Sequence, residues 1–355
     1  MYLLAGLAVT VVVVAAIGMV ADLGAVGDQL RHLRPGPVAG AVAAGLAAHG
    51  LRFVRWHLLV GVAGDRRLSA KPSALAFLAG SLFAFTPARA GEVAKAIYAR
   101  RLGGSTVAGP LAVVAAERIG DVAVMVLLAA AGLLAVGALT SHWPALVGGA
   151  CLVAALGTGA WIASLSIRGA LGRRRGVDPV GPRWLVGFLR PSSQLVSVAG
   201  VSVTFGLGMI IWLLEVVVFW LCLAAIGSGG LALALAVFPL ASLGGALSML
   251  PAGMGVTEGG IAGLSASVSG VTFDQGLAAA LLTRAVISGT VAIPGLGALV
   301  AVRGWRRKID AAKGGAAGEP CGPAGQLSSF SRPGLRSPGC SPSARASACR
   351  NRQNA

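Results

Sequence analysis

An all-helical membrane fold is predicted by three features of the chain. Only 12% of its 355 residues are charged and 56% are apolar, about half the charge of an ordinary soluble domain. The mean hydropathy is +0.81. Uninterrupted apolar runs of roughly 20 residues, the length that crosses about 30 Å of hydrocarbon as a helix, recur along the sequence. Lipid offers backbone groups no partners beyond those of a helix or a closed barrel, and no stretch alternates with the period of a barrel strand. The expectation is an all-α polytopic membrane protein with about six spans and two re-entrant hairpins arranged as an inverted repeat.

The spans fall at 2–21, 38–60, 119–139, 145–166, 197–226 and 276–302. The first lacks a basic leader and a small-x-small cleavage pattern, so it reads as a retained span. Basic residues gather between the spans: Arg66, Arg67 and Lys71; Lys95, Arg100 and Arg101; Arg168, Arg173, Arg174, Arg175, Arg183 and Arg190; and Arg303, Arg306, Arg307 and Lys308. The positive-inside rule assigns these segments to the cytoplasm. The mixed-charge segment 22–37 and the turn at "TSHWP" face outward. The formal charge of +17 is thus loop bias, and no nucleic-acid partner is expected.

Residues 1–305 form the membrane domain. The remainder, 306–355, is rich in Gly, Pro, Ser and Arg without apolar periodicity and is expected to be a disordered, basic, cytoplasmic tail. Cys151 and Cys222 lie inside spans, whereas Cys321, Cys340 and Cys349 sit in the tail without metal-ligand spacing. The four histidines form no H-E-x-x-H pattern. Neither a metal, a cofactor nor a catalytic residue is predicted, and the chain is not read as an enzyme.

The sequence echoes itself. "PARAGEVAKAIYARRLGG" starts at Pro87 and reaches Gly91 four residues on; "PAGMGVTEGGIAGLSASVSG" starts at Pro251 and reaches Gly255 four residues on. Each follows an apolar segment broken by Ser and Gly, and each precedes an apolar helix carrying an arginine, Arg118 or Arg284. Paired interrupted segments in two halves mark the binding region of transporter folds. If 72–101 and 231–270 are hairpins, the loop charges make the first dip from the cytoplasmic side and the second from outside, with 61–71 and 102–104 on one side.

Charge in these hairpins needs a reason. Pro87 suits the first turn of a helix, and Glu92 or Glu258 near a helix start would gain about 0.3–1 kcal/mol from the dipole. A charge at mid-bilayer costs about 2.5–3.5 kcal/mol even on lenient scales, so capping alone does not offset it. Arg89, Glu92 and Lys95, at successive i, i+3 spacing, carry net positive charge, and an anionic ligand would complete them. Helix N-termini and arginine forks both suit phosphate, and Gly253 and Gly255 would let backbone N–H groups approach it closely. Glu117 and Asp121 share a face with Arg118 between them; Arg52 and Arg55 either neutralise partners or snorkel; Glu215 is a single charge in its span.

These strings resemble those of a known family. "TPARAGEVAKAIYARRLGG", "AAERIGD" and "LPAGMGVTEGG…LLTRAV" are similar to the P-x-R-x-G-E, E-R-x-x-D and P-x-G-x-G-x-x-E…R segments of the lysylphosphatidylglycerol synthase transmembrane region, also described as the flippase-like integral membrane family. The resemblance spans about 1–305 and falls on Pro87, Arg89, Gly91, Glu92, Glu117, Arg118, Asp121, Pro251, Gly253, Gly255, Glu258 and Arg284. It implies translocation of an anionic or zwitterionic lipid across the cell membrane, with Arg89, Arg118 and Arg284 holding the headgroup phosphate and Glu92, Glu117 and Glu258 orienting them. Nothing after Lys308 resembles the family's soluble aminoacyl-transfer domain. Two alternatives stand beside flipping: a non-transporting partner of a lipid- or glycan-modifying transferase, and a proton-coupled small-solute transporter using Glu117, Asp121 or Glu215.

Overall fold

The computed structural model describes residues 15–65, 67–85, 91–137, 183–248 and 250–316. All regular elements among them are helical: α1 (Leu23–Arg31), α2 (Pro35–Val62), α3 (Ala70–Ser81), α4 (Val93–Arg101), α5 (Ala108–Ala135), α6 (Arg183–Leu195), α7 (Val198–Ile226), α8 (Leu231–Leu247), α9 (Val256–Ser269) and α10 (Phe273–Ala316). Four of these are long and apolar enough to span, namely α2, α5, α7 and Phe273–Gly304 of α10. Of the six expected spans, 145–166 and most of 2–21 lie outside the described residues.

Local chemistry sets the helix ends. Asp22 accepts from the Gly24 and Ala25 N–H groups at 2.9 and 3.1 Å, Pro35 opens α2 where its missing N–H costs nothing, and Ser197 accepts from Gly200 at 3.2 Å to start α7. Gly227, at φ 84°, ends α7 in the left-handed conformation that glycine tolerates best. The third expected span begins eleven residues earlier than 119. Its apolar run is interrupted by Glu117, Arg118 and Asp121, which the helix accommodates because their charges are paired inside the bundle.

The two long helices α2 and α7 pack antiparallel. Arg34 N–H donates to the Ala225 carbonyl at 3.0 Å, Gly40 faces Leu221, and Gly208 faces Arg55, so rising numbers on one helix meet falling numbers on the other. Their C-terminal ends therefore lie at opposite ends of the bundle. Each feeds a hairpin: α2 leads to α3, a 3₁₀ turn at Leu82–Phe85 and α4, while α7 leads to α8, a 3₁₀ turn at Pro251–Gly253 and α9.

The first hairpin is too short to cross. At 1.5 Å per residue, the twelve residues of α3 rise about 18 Å, against about 30 Å of hydrocarbon. It also returns to the end it left, because buried Asp65, just after α2, accepts the Ser105 N–H, just before α5, at 3.0 and 3.2 Å. Gly80 allows α3 and α4 to close on each other: a Cβ there would lie 2.7 Å from the Lys95 backbone nitrogen. The turns of the two hairpins, 82–85 and 251–253, touch one another.

One core cluster, with Trp56, Leu59, Phe77 and Val113, packs around the first hairpin; a second, with Val124, Trp212, Phe219 and Phe238, packs around α8. The chain divides into two compact units, 1–309 and 310–355. Helix α10 continues through residue 305, where the tail was expected to begin, and ends at Ala316; the rest of the tail lies outside the described residues.

Candidate functional site

A cavity of about 400 Å³ opens where the two hairpins meet, within the first unit. Arg52, Glu92, Arg118, Asp121, Glu258 and Arg284 line it, with His49 and Glu215 beside them. Arg52, Arg118, Asp121, Glu215 and Arg284 come from well inside long helices, whereas Glu92 and Glu258 sit at the starts of α4 and α9. Arg52 is ten residues from the end of α2 and Asp121 thirteen from the start of α5, about 15 and 20 Å inward at 1.5 Å per residue. Water at the membrane faces cannot solvate them at that depth, so the protein must.

Ion pairs do so. Arg55, only 1% exposed, reaches Asp121 at 2.8 Å and Glu117 at 3.3 Å. Arg118 pairs with Asp121 at 3.0 Å and Glu92 at 3.5 Å. Arg52 pairs with Glu215 and lies 3.9 Å from Asp121. Lys95 sits 3.7 Å from Glu92, its ammonium over Phe77 at 4.9 Å and Trp56 at 6.0 Å. On the other side, Arg284 pairs with Glu258. Five cations and five carboxylates are thus balanced among the described residues; Arg89 of the expected Arg89, Glu92 and Lys95 cluster lies outside them.

The two signs are layered by depth. The side chains of Arg118, Arg284 and Arg52 are 31%, 26% and 15% exposed, whereas the carboxylates that hold them are 9% or less. The arginine side chains are therefore the more accessible members of these pairs, backed by carboxylate, although the Arg118 Nε is itself enclosed. Planar donor forks presented this way match oxygen-rich anions such as phosphate or ester groups. Arg52 also lies 5.8 Å over the Trp212 ring, which adds an aromatic floor.

The second turn has unusual backbone. Ala252, Gly253 and Gly255 adopt φ of 52°, 66° and 86°, a region natural to glycine and costly for alanine. The Arg284 guanidinium donates to the Ala252 carbonyl at 3.2 Å and holds this turn. Glu258 serves twice, since its second oxygen accepts the Gly255 N–H at 2.6 Å. The Gly253 N–H donates to Leu250 at 3.0 Å. Both N–H groups that the sequence suggested for a phosphate are engaged within the turn, and a Cβ on Gly253 would fall 3.0 Å from Gly245 backbone.

Of the residues singled out in the sequence, Glu92, Arg118, Asp121, Gly253, Glu258 and Arg284 line the cavity. Glu117 lies behind it as a partner of Arg55. Gly91 precedes Glu92 in the turn into α4, Pro251 is buried at the second turn, and Gly255 caps α9. Pro87 and Arg89 lie outside the described residues. Glu92 occupies the cap position of α4 without a capping bond; its charge goes to Arg118 and Lys95 instead. Snorkelling does not describe Arg55, which is enclosed. Asp65 and Trp212 carried no motif, and Arg52 and Glu215, visible as intramembrane charges, could be placed in the site only once α2 and α7 were paired.

The profile of the family described as Lysylphosphatidylglycerol synthase TM region matches residues 3–295. Comparison with curated proteins gives no match.

Proposed function

The chain belongs to the lysylphosphatidylglycerol synthase transmembrane-region family, and from that premise we propose that it moves the phosphate-bearing headgroup of an anionic or zwitterionic lipid between the leaflets of the cell membrane. The observation that carries this reading is the layering of the cavity, with the Arg52, Arg118 and Arg284 guanidiniums outward and their carboxylates behind. The described charges around the cavity balance, which lets them exist without ligand at tolerable cost, yet they offer donors as soon as a phosphate arrives. A phosphate that engages Arg118 or Arg284 competes with Glu92 or Glu258 for the same fork. Each hairpin is tied to the next long helix by that very pair, so binding loosens the tie. Movement of the headgroup from one pair to the other is the translocation step, and no covalent bond is made.

Orientation follows from the exposed charge. Arg67, Lys71, Arg100, Arg101 and Arg303 decorate one end of the bundle, and Asp22, Asp28 and Asp274 lie at the other. By the positive-inside rule the basic end faces the cytoplasm.

The test is a leaflet-resolved assay in vesicles reconstituted with the full chain, using headgroup-labelled phosphatidylglycerol or phosphatidylethanolamine and a membrane-impermeant quencher. Label should become accessible from the opposite leaflet, and Arg118→Gln and Arg284→Gln should each remove that flux from protein that still inserts. Wild-type protein that leaves every lipid in its original leaflet would refute the proposal and favour the partner-protein reading.

A further inference from the structure

The cavity has a second, apolar wall. Leu243, Ala246 and Leu247 on the last turns of α8 and Ile287, Ser288 and Val291 on α10, the turns that follow Arg284, line it as well. Leu247 is at once a cavity wall and 74% exposed, and Ala246 beside it is exposed as well. A residue can be both only where the cavity opens to the outside of the bundle.

The depth of that opening identifies what lies outside. Leu247 ends α8, sixteen residues from its start, about 24 Å along an axis on which α2 extends about 42 Å. It directly precedes the turn that meets the first hairpin inside the bundle. An opening at that level faces hydrocarbon rather than water, and Ile293 and Leu296 further along α10, 77% and 58% exposed, form the neighbouring lipid-facing surface. A soluble solute would have no reason to meet such a mouth. A lipid would: its headgroup reaches the guanidiniums while its chains remain in the bilayer.

We propose that the seam between the last turns of α8 and the middle of α10 is a lateral portal that holds an acyl chain of the lipid whose headgroup occupies the arginine-lined cavity. This rests on the headgroup reading above and narrows it to membrane-resident substrates. Leu243 and Leu247 on one side and Ile287 and Val291 on the other touch the chain.

The experiment uses the full chain in vesicles containing phosphatidylglycerol with a diazirine at mid-chain, illuminated with and without excess glycerophosphoglycerol, the water-soluble headgroup. The expected result is labelling of Leu243, Ile287 or Val291 that the soluble headgroup suppresses, with labelling at Ile293 and Leu296 unsuppressed because bulk lipid supplies it; Leu247, 74% exposed, meets bulk lipid as well and is left out of the comparison. A second arm compares thermal stabilisation of the purified protein by long-chain phosphatidylglycerol and by glycerophosphoglycerol. Leu247→Trp should remove the first shift and retain the second. Seam labelling that the soluble headgroup does not suppress, or a Leu247→Trp protein stabilised normally by both compounds, overturns the portal and leaves the headgroup site standing. Wild-type protein stabilised by neither compound refutes the headgroup reading and the portal with it.

Discussion

The two hairpins share a plan and differ in how firmly they are held. In the first, Glu92 joins a connected set of charges in which Asp121 serves Arg55, Arg118 and Arg52, and Glu117 and Glu215 complete the set. Its feet are also stapled, Asp65 to Ser105. The second hairpin is tied by Arg284, which reaches Glu258 and the Ala252 carbonyl. Glycines at positive φ mark the feet of both hairpins, Gly64 and Gly103 in the first and Gly227, Gly229 and Gly270 in the second. Repetition of a backbone motif therefore does not mean equal stability. The first hairpin has more ties than the second, so on the proposed function a ligand that draws Arg284 away would release the second more completely than one that draws Arg118 away would release the first.

Removing the hub of the first half is the most damaging test of that contrast. Asp121→Asn leaves Arg55 with Glu117 alone and weakens Arg118 and Arg52 together. Breaking a buried pair typically costs about 3–5 kcal/mol, and a large fall in thermal midpoint and in folded yield in detergent is expected. Glu258→Gln should cost less, about 1.5–3 kcal/mol for a hydrogen bond to a charged group, because the amide oxygen can still accept from Gly255. If Glu258→Gln proves the more destabilising of the two, the contrast between the halves is reversed.

Packing gives a sharper pair. A Cβ at Gly80 lands 2.7 Å from the Lys95 backbone, whereas at Gly244 its nearest neighbour is Val256 at 4.0 Å. Gly80→Ala should therefore lose about 1–3 kcal/mol through overpacking, and Gly244→Ala should be close to neutral in the same denaturation assay. A Cβ at the next residue, Gly245, would press on Thr257 and Gly253, so the pair compares these two positions and not whole hairpins; equal losses would mean that Gly244 lacks the clearance its 4.0 Å neighbour implies. The smallest effect is expected at Ala252, whose φ of 52° favours glycine. Ala252→Gly relieves about 1–2 kcal/mol of left-handed strain and surrenders about 0.4–1 kcal/mol to the freer unfolded chain, so a rise of at most a degree or two in midpoint is the outcome to look for.

Much of this was legible in the sequence because membrane chemistry is restrictive. The long apolar runs had to be helices, and the second P-x-x-x-G string marked the turn at Pro251–Gly253, whereas Pro87 and Arg89 of the first string lie outside the described residues. Glu92, Arg118, Asp121, Glu258 and Arg284 stood out because charge is rare in such spans. What could not be read was the pairing. Arg52 and Glu215 are 163 residues apart, and nothing in either neighbourhood names the other. The start of α5 was misplaced for a related reason: its charges look like the end of a span until their partners on α2 are known. The role of Asp65 was hidden because a lone loop aspartate has no signature, and the two engaged glycine N–H groups could be recognised only from the turn that consumes them.

The long separation of Arg52 and Glu215 also has a consequence in time. A ribosome delivers Arg52 163 residues before Glu215, an interval of about 10–30 s at ordinary elongation rates. Arg55 finds Glu117 and Asp121 much sooner, 62 and 66 residues later, so the amino-terminal half can neutralise most of its own charge while the remainder is still being synthesised. Arg52 finds only the longer contact to Asp121 in that interval. Until α7 arrives its closest counter-ion is missing, and a chain truncated before residue 215 would lack the ion pair that joins α2 to α7.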